Sequence, residues 1–222
     1  MTHAYFITGT DTEIGKTYVA CALLHAFRQQ GRTAIGMKPV AAGTDAAGHN
    51  EDVEALIAAS SIAAERRLVN PYCFADPIAP HIAAREAGVR MAPEPVQAAL
   101  QALGEMAEVV VVEGVGGFVV PLGENFDAAD LAAALALPVI LVVGMRLGCL
   151  NHALLTAAAI EARGLKLAGW VANRIDPAMS RFEENLATLQ GSIAAPLLGV
   201  VPYAAAGVES AAACLNVAIL SA

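Results

Sequence analysis

Residues 4–17, AYFITGTDTEIGKT, decide how the rest of the chain is read. AYFIT (4–8) is short and apolar on both faces, which predicts a buried strand. A glycine-bearing turn follows. Val19, Leu23, Leu24 and Phe27 then recur at helical spacing over 16–30, and Gly31 stands where a helix closes. Outward from this strand–turn–helix unit the same alternation repeats. Strands are predicted at 33–38 (TAIGMK), 109–112 (VVVV), 138–143 (PVILVV), 167–172 (LAGWVA) and 197–201 (LLGVV), and helices at 52–60, 95–106, 127–135, 151–163 and 180–190. Doubly apolar strands alternating with helices imply a single doubly wound α/β domain over 1–222, its sheet mostly parallel with helices on both faces. Ligands of such sheets sit beyond the carboxyl ends of the strands, so the residues that follow each strand carry the chemistry.

Composition narrows the classes. The 222 residues are 57% hydrophobic and 15% charged, which excludes a disordered chain. The longest apolar run, 131–145, is broken by Pro138 and falls short of the ~20 residues that span a bilayer. Thirteen Lys and Arg against 21 Asp and Glu give −8, without a basic run to neutralise phosphates, so neither nucleic acid nor membrane is expected as a partner. Cys21, Cys73, Cys149 and Cys214 are scattered without a CxxC pair and each lies in or beside an apolar stretch, which predicts four buried thiols in a reducing compartment. The N-terminus Met1-Thr2-His3-Ala4 has no signal-peptide pattern, and a cytoplasmic protein is expected.

The turn Gly9-Thr10-Asp11-Thr12-Glu13-Ile14-Gly15-Lys16-Thr17 resembles a P-loop, GxxxxGK[ST], except that the strict spacing puts glycine at Thr10. Backbone N–H groups and a helix N-terminus attract phosphates there, Lys16 reaches the terminal ones, and Thr17 can place its hydroxyl on Mg²⁺. Lys38, made extended by Pro39, follows the second strand and could supply a second ammonium. Glu113 ends the valine strand before Gly114-Val115-Gly116-Gly117, the placement of a Mg²⁺ ligand. Asp52, at a helix start, fits a second metal carboxylate or a helix cap equally. Residues 144–152 lead into a helix whose N-terminus could accept a carboxylate, and Asn173 could read a purine edge or form a turn. No pair among the five histidines has metal-ligand spacing, and there is no GxSxG elbow.

Together GTDTEIGKT (9–17), KPVAAG (38–43), NPY (70–72), APH (79–81), VEGVGG (112–117), LGCLNHALLT (147–156), GWVAN (169–173) and APLLGVVP (195–202) resemble the dethiobiotin synthetase family in its own order along nearly the whole chain. Its longer loop accounts for the glycine offset. The resemblance implies a P-loop NTPase-type enzyme in which 7,8-diaminononanoate, CO₂ and MgATP give dethiobiotin, ADP and phosphate through a carbamate and a mixed anhydride. It further implies that Lys16 and Lys38 are catalytic, that Lys38 also meets the substrate, and that Thr17, Asp52 and Glu113 hold Mg²⁺. Glu13, Ile14, Gly15, Lys16, Thr17 and Tyr18, with Glu113, Gly114, Val115 and Gly116, would line the nucleotide phosphates, and Asn173, Pro202 and Glu209 would contact adenosine. The family is a homodimer, in which Asn151 and the loop before its helix, from the partner subunit, would receive the substrate carboxylate. One departure is Ala42, where the family commonly has Ser or Thr in contact with substrate.

Two rival classes share the sheet. Nucleotide-switch ATPases of chromosome partitioning and division-site selection carry a signature lysine five residues before the P-loop lysine, where this chain has Asp11. Amidotransferase-type synthetases carry a further glutaminase domain, for which 222 residues leave no room.

Overall fold

The computed structural model describes residues 2–221; Met1 and Ala222, the outermost residues of the predicted domain, lie outside it. In chain order the elements are β1 (His3–Gly9), α1 (Lys16–Gln29), β2 (Ala34–Met37), β3 (Val40–Ala42), α2 (Glu51–Ala59), α3 (Arg66–Val69), β4 (Tyr72–Phe74), α4 (Pro80–Glu86), α5 (Pro93–Met106) and β5 (Val109–Glu113). They continue with β6 (Pro121–Gly123), β7 (Phe126–Asp127), α6 (Ala128–Leu135), β8 (Val139–Met145), α7 (Cys149–Ala162), β9 (Leu167–Arg174), α8 (Phe182–Ser192), β10 (Leu197–Val201), α9 (Val208–Ala212) and a closing 3₁₀ turn, Val217–Ser221.

Six strands form one parallel sheet in the order β10-β9-β8-β1-β5-β2. The chain leaves β1 toward β2 and β5 on one side and returns to β8, β9 and β10 on the other, so a crevice opens beyond the carboxyl end of β1. Successive side chains face opposite layers. Tyr5, Ile7, Val109, Val111, Ile140 and Val142 pack against the layer of α1, α2 and α9; Phe6, Val110, Val112, Val139, Leu141 and Val143 pack against the layer of α5 to α8. This two-sided burial is why β5 is four consecutive valines rather than an apolar–polar alternation. Tyr5 stacks on Phe27 of α1 at 5.9 Å between ring centres, and its hydroxyl donates to the Leu220 carbonyl at 2.7 Å, tying the end of the chain to the first strand.

The predicted doubly wound sheet is present, with corrections. The second strand stops at Met37, because Pro39 has no N–H to continue the ladder; Lys38 donates its N–H to Val69 instead. The helix predicted at 151–163 begins at Cys149, which places Asn151 inside its first turn, and the one predicted at 180–190 runs Phe182–Ser192. Asn173 stands within β9, which rules out the turn reading. The elements β3, β4, α3, α4, β6, β7 and α9 were not anticipated; each is too short, at two to seven residues, to show a period. The expectation of four buried thiols fails at two: Cys21 and Cys149 are buried, but Cys73 on the two-stranded β3–β4 sheet and Cys214 after α9 are exposed. Neighbouring apolar residues in sequence do not bury a side chain that alternates outward.

Candidate active site

The P-loop joins β1 to α1. Glu13 and Gly15 both adopt left-handed backbone, at φ 57° and 81°, which turns the loop back over the strand end. Gly15 also has no room for a side chain: a Cβ there would lie 2.4 Å from Asn173 Nδ2. The offset glycine has its own reason. A Cβ on Gly9 would stand 2.9 Å from Ile14 Cδ1 and 3.0 Å from the Lys16 stem, so the position crossed by the loop is the one that must be bare. The loop is pinned from β9, where Asn173 Nδ2 donates to the Ile14 carbonyl at 2.7 Å. That bond fixes the amide's orientation and leaves its oxygen as the remaining acceptor.

Four side chains meet at the start of α1. Thr17 Oγ1 lies 2.7 Å from Asp52 Oδ1 and 2.8 Å from Glu113 Oε1; its single proton serves one of them at a time. Lys38 Nζ donates to Asp52 Oδ2 at 2.7 Å and to Glu113 Oε1 at 2.6 Å. Asn70 holds the lysine's backbone, donating to the Lys38 carbonyl at 2.6 Å and to that of Tyr72 at 3.0 Å. The cap of α2 is Asn50, which accepts from Val53 N–H and donates to the Gly43 carbonyl, so the Asp52 carboxylate is released from capping and faces the site. Lys16 is buried and donates to the Asp11 carbonyl at 2.7 Å.

Burial, opposed by Glu113 and aided by the positive charge of Lys38, brings the Lys16 ammonium down to about 8. Burial alone would also depress Lys38, but Glu113 and Asp52 outweigh it and hold the ammonium charged above its usual range. Burial would raise Asp52, yet Lys38 carries it below the carboxylate range. Glu113, fully enclosed, is pushed up by burial against the pull of Lys38. The thiol of Cys21 is pushed up to about 12, chiefly by burial, and stays inert.

This cluster suits a divalent hard cation. Two carboxylates face one ammonium directly, Glu113 Oε2 is buried without a hydrogen-bond partner among the described residues, and the other donors are oxygens. A Mg²⁺ ion takes one or two carboxylates and completes its shell with phosphate and water.

A cleft of about 810 Å³ opens over the cluster, lined by Glu13, Gly15, Lys16, Thr17, Tyr18, Lys38, Ala42, Asp52, Glu113, Val115 and Gly116 among others. Ile14 lies buried under the loop and Gly114 lines a small internal void, so neither reaches the cleft wall. Asn173, Pro202 and Glu209 lie outside it as well. Asn173 stands in β9 beside Gly15, Pro202 directly follows β10 and Glu209 lies on α9, next to Gly207, whose carbonyl accepts from Tyr18 Oη at 2.9 Å. Asn151 is exposed on α7, also away from the cleft. Sequence reasoning missed Pro77, Ile78, Ala79 and Pro80 as a wall and assigned no role to Asn70; the quoted NPY and APH motifs were their only trace.

A P-loop at the order reversal of a parallel sheet, with a lysine, a threonine and two carboxylates at its foot, defines a P-loop NTPase-type protein. Solved structures agree at the level of the fold: MinD cell division protein of Aquifex aeolicus (TM-score 0.59, 13% identity, 97% of this chain and 88% of that one) and a ParA family ATPase of Chlorobium tepidum TLS (0.58, 11%, 100% and 92%). Residues 3–209 match a family model described as an AAA domain. The ATP-dependent dethiobiotin synthetase BioD of Aromatoleum aromaticum is 63% identical over 205 residues, 91% of each chain, and that of Nitrosospira multiformis 55% identical over 203 residues, 91% of this chain and 89% of the other. The chain belongs to the dethiobiotin synthetase family, a family of ATP-dependent ligases.

Proposed function

We propose that this protein carries out the ATP- and Mg²⁺-dependent carboxylation and ring closure of 7,8-diaminononanoate with CO₂, releasing dethiobiotin, ADP and phosphate. The observation that carries the reading is the convergence of Lys16, Lys38, Thr17, Asp52 and Glu113 at the foot of a P-loop, in a chain 63% identical to a dethiobiotin synthetase.

One substrate amine adds to CO₂ and loses a proton to form a carbamate. A carbamate oxygen attacks the γ-phosphorus and ADP leaves. The second amine then attacks the carbonyl carbon of the mixed anhydride, phosphate departs, and a five-membered ring closes. Each step moves negative charge among oxygens, so the protein contributes position and charge rather than a covalent intermediate.

Lys38, clamped between two carboxylates and backed by Asn70, presents a fixed ammonium to the carbamate and the transferring phosphoryl group. Lys16 adds a second cation once phosphates draw it from the Asp11 carbonyl. Backbone N–H groups over 13–18 and 113–116 receive the phosphates. Thr17, Asp52 and Glu113 would hold Mg²⁺, which supplies neutralisation of β- and γ-phosphate charge. Asn173, with Pro202 and Glu209, contacts the adenosine, its free amide oxygen suited to the amino group of adenine.

The active form is a homodimer. Leu147 is 95% exposed and Leu155 63%, apolar surface before and along α7 that a second subunit would cover, bringing Asn151 to the partner's substrate carboxylate. Residues 1–222 act as one domain in the cytoplasm, with neither nucleic acid nor membrane as partner; no helix among the described residues is long and apolar enough to cross a bilayer. The test is phosphate release from MgATP and bicarbonate with and without the diamine, the organic product followed by mass spectrometry. Diamine-dependent release matched by dethiobiotin is expected, and hydrolysis indifferent to the diamine overturns the assignment.

A further inference from the structure

Helix α4 separates two cavities. Its first residue, Pro80, lines the catalytic cleft, whereas His81, Ala84 and Arg85 line a larger groove of about 1380 Å³ on its other side. The remaining walls are the segment from Val89 to Glu94 and the β6–β7 hairpin.

The groove has an unusual charge arrangement for so acidic a chain. Arg66, Arg67, Arg146, Arg163 and Arg181 are each in an ion pair. Arg85 and Arg90 share the groove and, among the described residues, their guanidinium groups form no hydrogen bond or ion pair, although Glu94 and Glu124 line the same walls and 21 acidic residues are present. His81 adds an Nδ1 that is buried with no partner. Beside these groups lie Met91 and Leu122, both buried, and the half-buried Phe126. A concave surface joining apolar side chains to a few convergent polar groups is the usual form of a small-molecule site, and two unpaired guanidinium groups select an oxyanion.

We propose that this groove is a second ligand site, separate from the catalytic cleft, for a small organic anion that joins a carboxylate or phosphate to an apolar body. Arg85 and Arg90 take the anion, and Met91, Leu122 and Phe126 take the body. The proposal does not depend on the reaction assigned above.

Octanoate is the probe, titrated calorimetrically into the full chain with MgADP saturating the nucleotide cleft, with octylamine and inorganic phosphate as comparators. Expected is octanoate binding that exceeds both, and that weakens about tenfold or more in the Arg85→Ala, Arg90→Ala double variant, the loss expected for charge-assisted hydrogen bonds. Both arginines are exposed, and an unchanged circular dichroism spectrum and thermal midpoint show that the double variant is folded. Absence of octanoate binding, or binding unchanged in the double variant, overturns the site. Phosphate or octylamine binding as tightly as octanoate overturns its stated chemistry.

Discussion

Lys38 Nζ stands 2.6 Å from Glu113 Oε1, with the lysine side chain 5% exposed and the glutamate 1%. The two come from the ends of neighbouring strands, β2 and β5, and Asp52 closes the group from α2. A pair this enclosed contributes little net stability against apolar residues of similar volume, but breaking it leaves a buried charge unmatched, at about 3–5 kcal/mol. Its retention therefore belongs to chemistry rather than to the stability of the fold.

Lys38→Met should destabilise the protein by that amount at neutral pH and abolish turnover. Without the ammonium, Asp52 and Glu113 titrate higher in the fold than in the unfolded chain. The folded state then holds protons that the unfolded chain has released, so its stability rises as pH falls through those raised values. Thermal melts from pH 7 to pH 5 check the sign, and added Mg²⁺ should restore part of the loss at pH 7.

Lys16 is brought to about 8, chiefly by burial, so it loses its charge as pH rises above that value. For MgATP, kcat/KM reports the free enzyme and should fall above about pH 8, approaching tenfold per unit. Lys16→Arg should be slower at pH 7 but flat from pH 8 to 10. A wild-type profile flat over that range would place the ammonium's titration elsewhere.

Ala42 lines the cleft at the position where the family resemblance implies a hydroxyl. Restoring it with Ala42→Ser adds one neutral hydrogen bond, worth roughly 0.5–1.5 kcal/mol, or about two- to twelvefold in affinity. The KM for the diamine should drop by that factor with the KM for ATP unchanged.

The Asn173 amide is oriented by its bond to the Ile14 carbonyl, which uses one N–H and leaves the oxygen as its acceptor. The wild type should favour ATP over GTP, whose 6-oxo group also accepts, by about ten- to a hundredfold in kcat/KM, the scale of a mispaired buried polar group. Asn173→Ala should weaken both nucleotides and bring the two within a few-fold of each other. Steady-state kinetics with both nucleotides decide the matter.

Leu155→Glu places a charge on the exposed apolar surface midway along α7. A monomer by analytical ultracentrifugation is expected, with ATP binding retained and diamine-dependent turnover lost. A dimer that survives this change is built on another face.

Residues 4–17 and the doubly apolar strands were legible because their signals are local: periodicity, a glycine turn and a lysine at fixed spacing. The short elements were not legible. Two to seven residues carry no period, β3 and β4 pair only when tertiary packing brings them together, and the β6–β7 hairpin is too short to show an alternation. Exposure of Cys73 and Cys214 was equally hidden, since facing is set by neighbours in space. Asp52 shows where a local signal is ambiguous: acidic residues near helix starts cap helices, and only the structure shows that Asn50 already does so.

The strand–loop–helix, the sheet class and, through the ordered motifs, the family follow from the residues in their linear order. Tertiary structure alone decided that Lys38 meets an aspartate 14 residues away and a glutamate 75 away, and that an asparagine 159 residues from Ile14 holds the P-loop in place. It decided as well that Glu113 keeps one buried oxygen free. The physical reason is parallel pairing. Each strand must cross the molecule before lying beside its neighbour, so the residues at the sheet's carboxyl edge are distant in sequence and close in space.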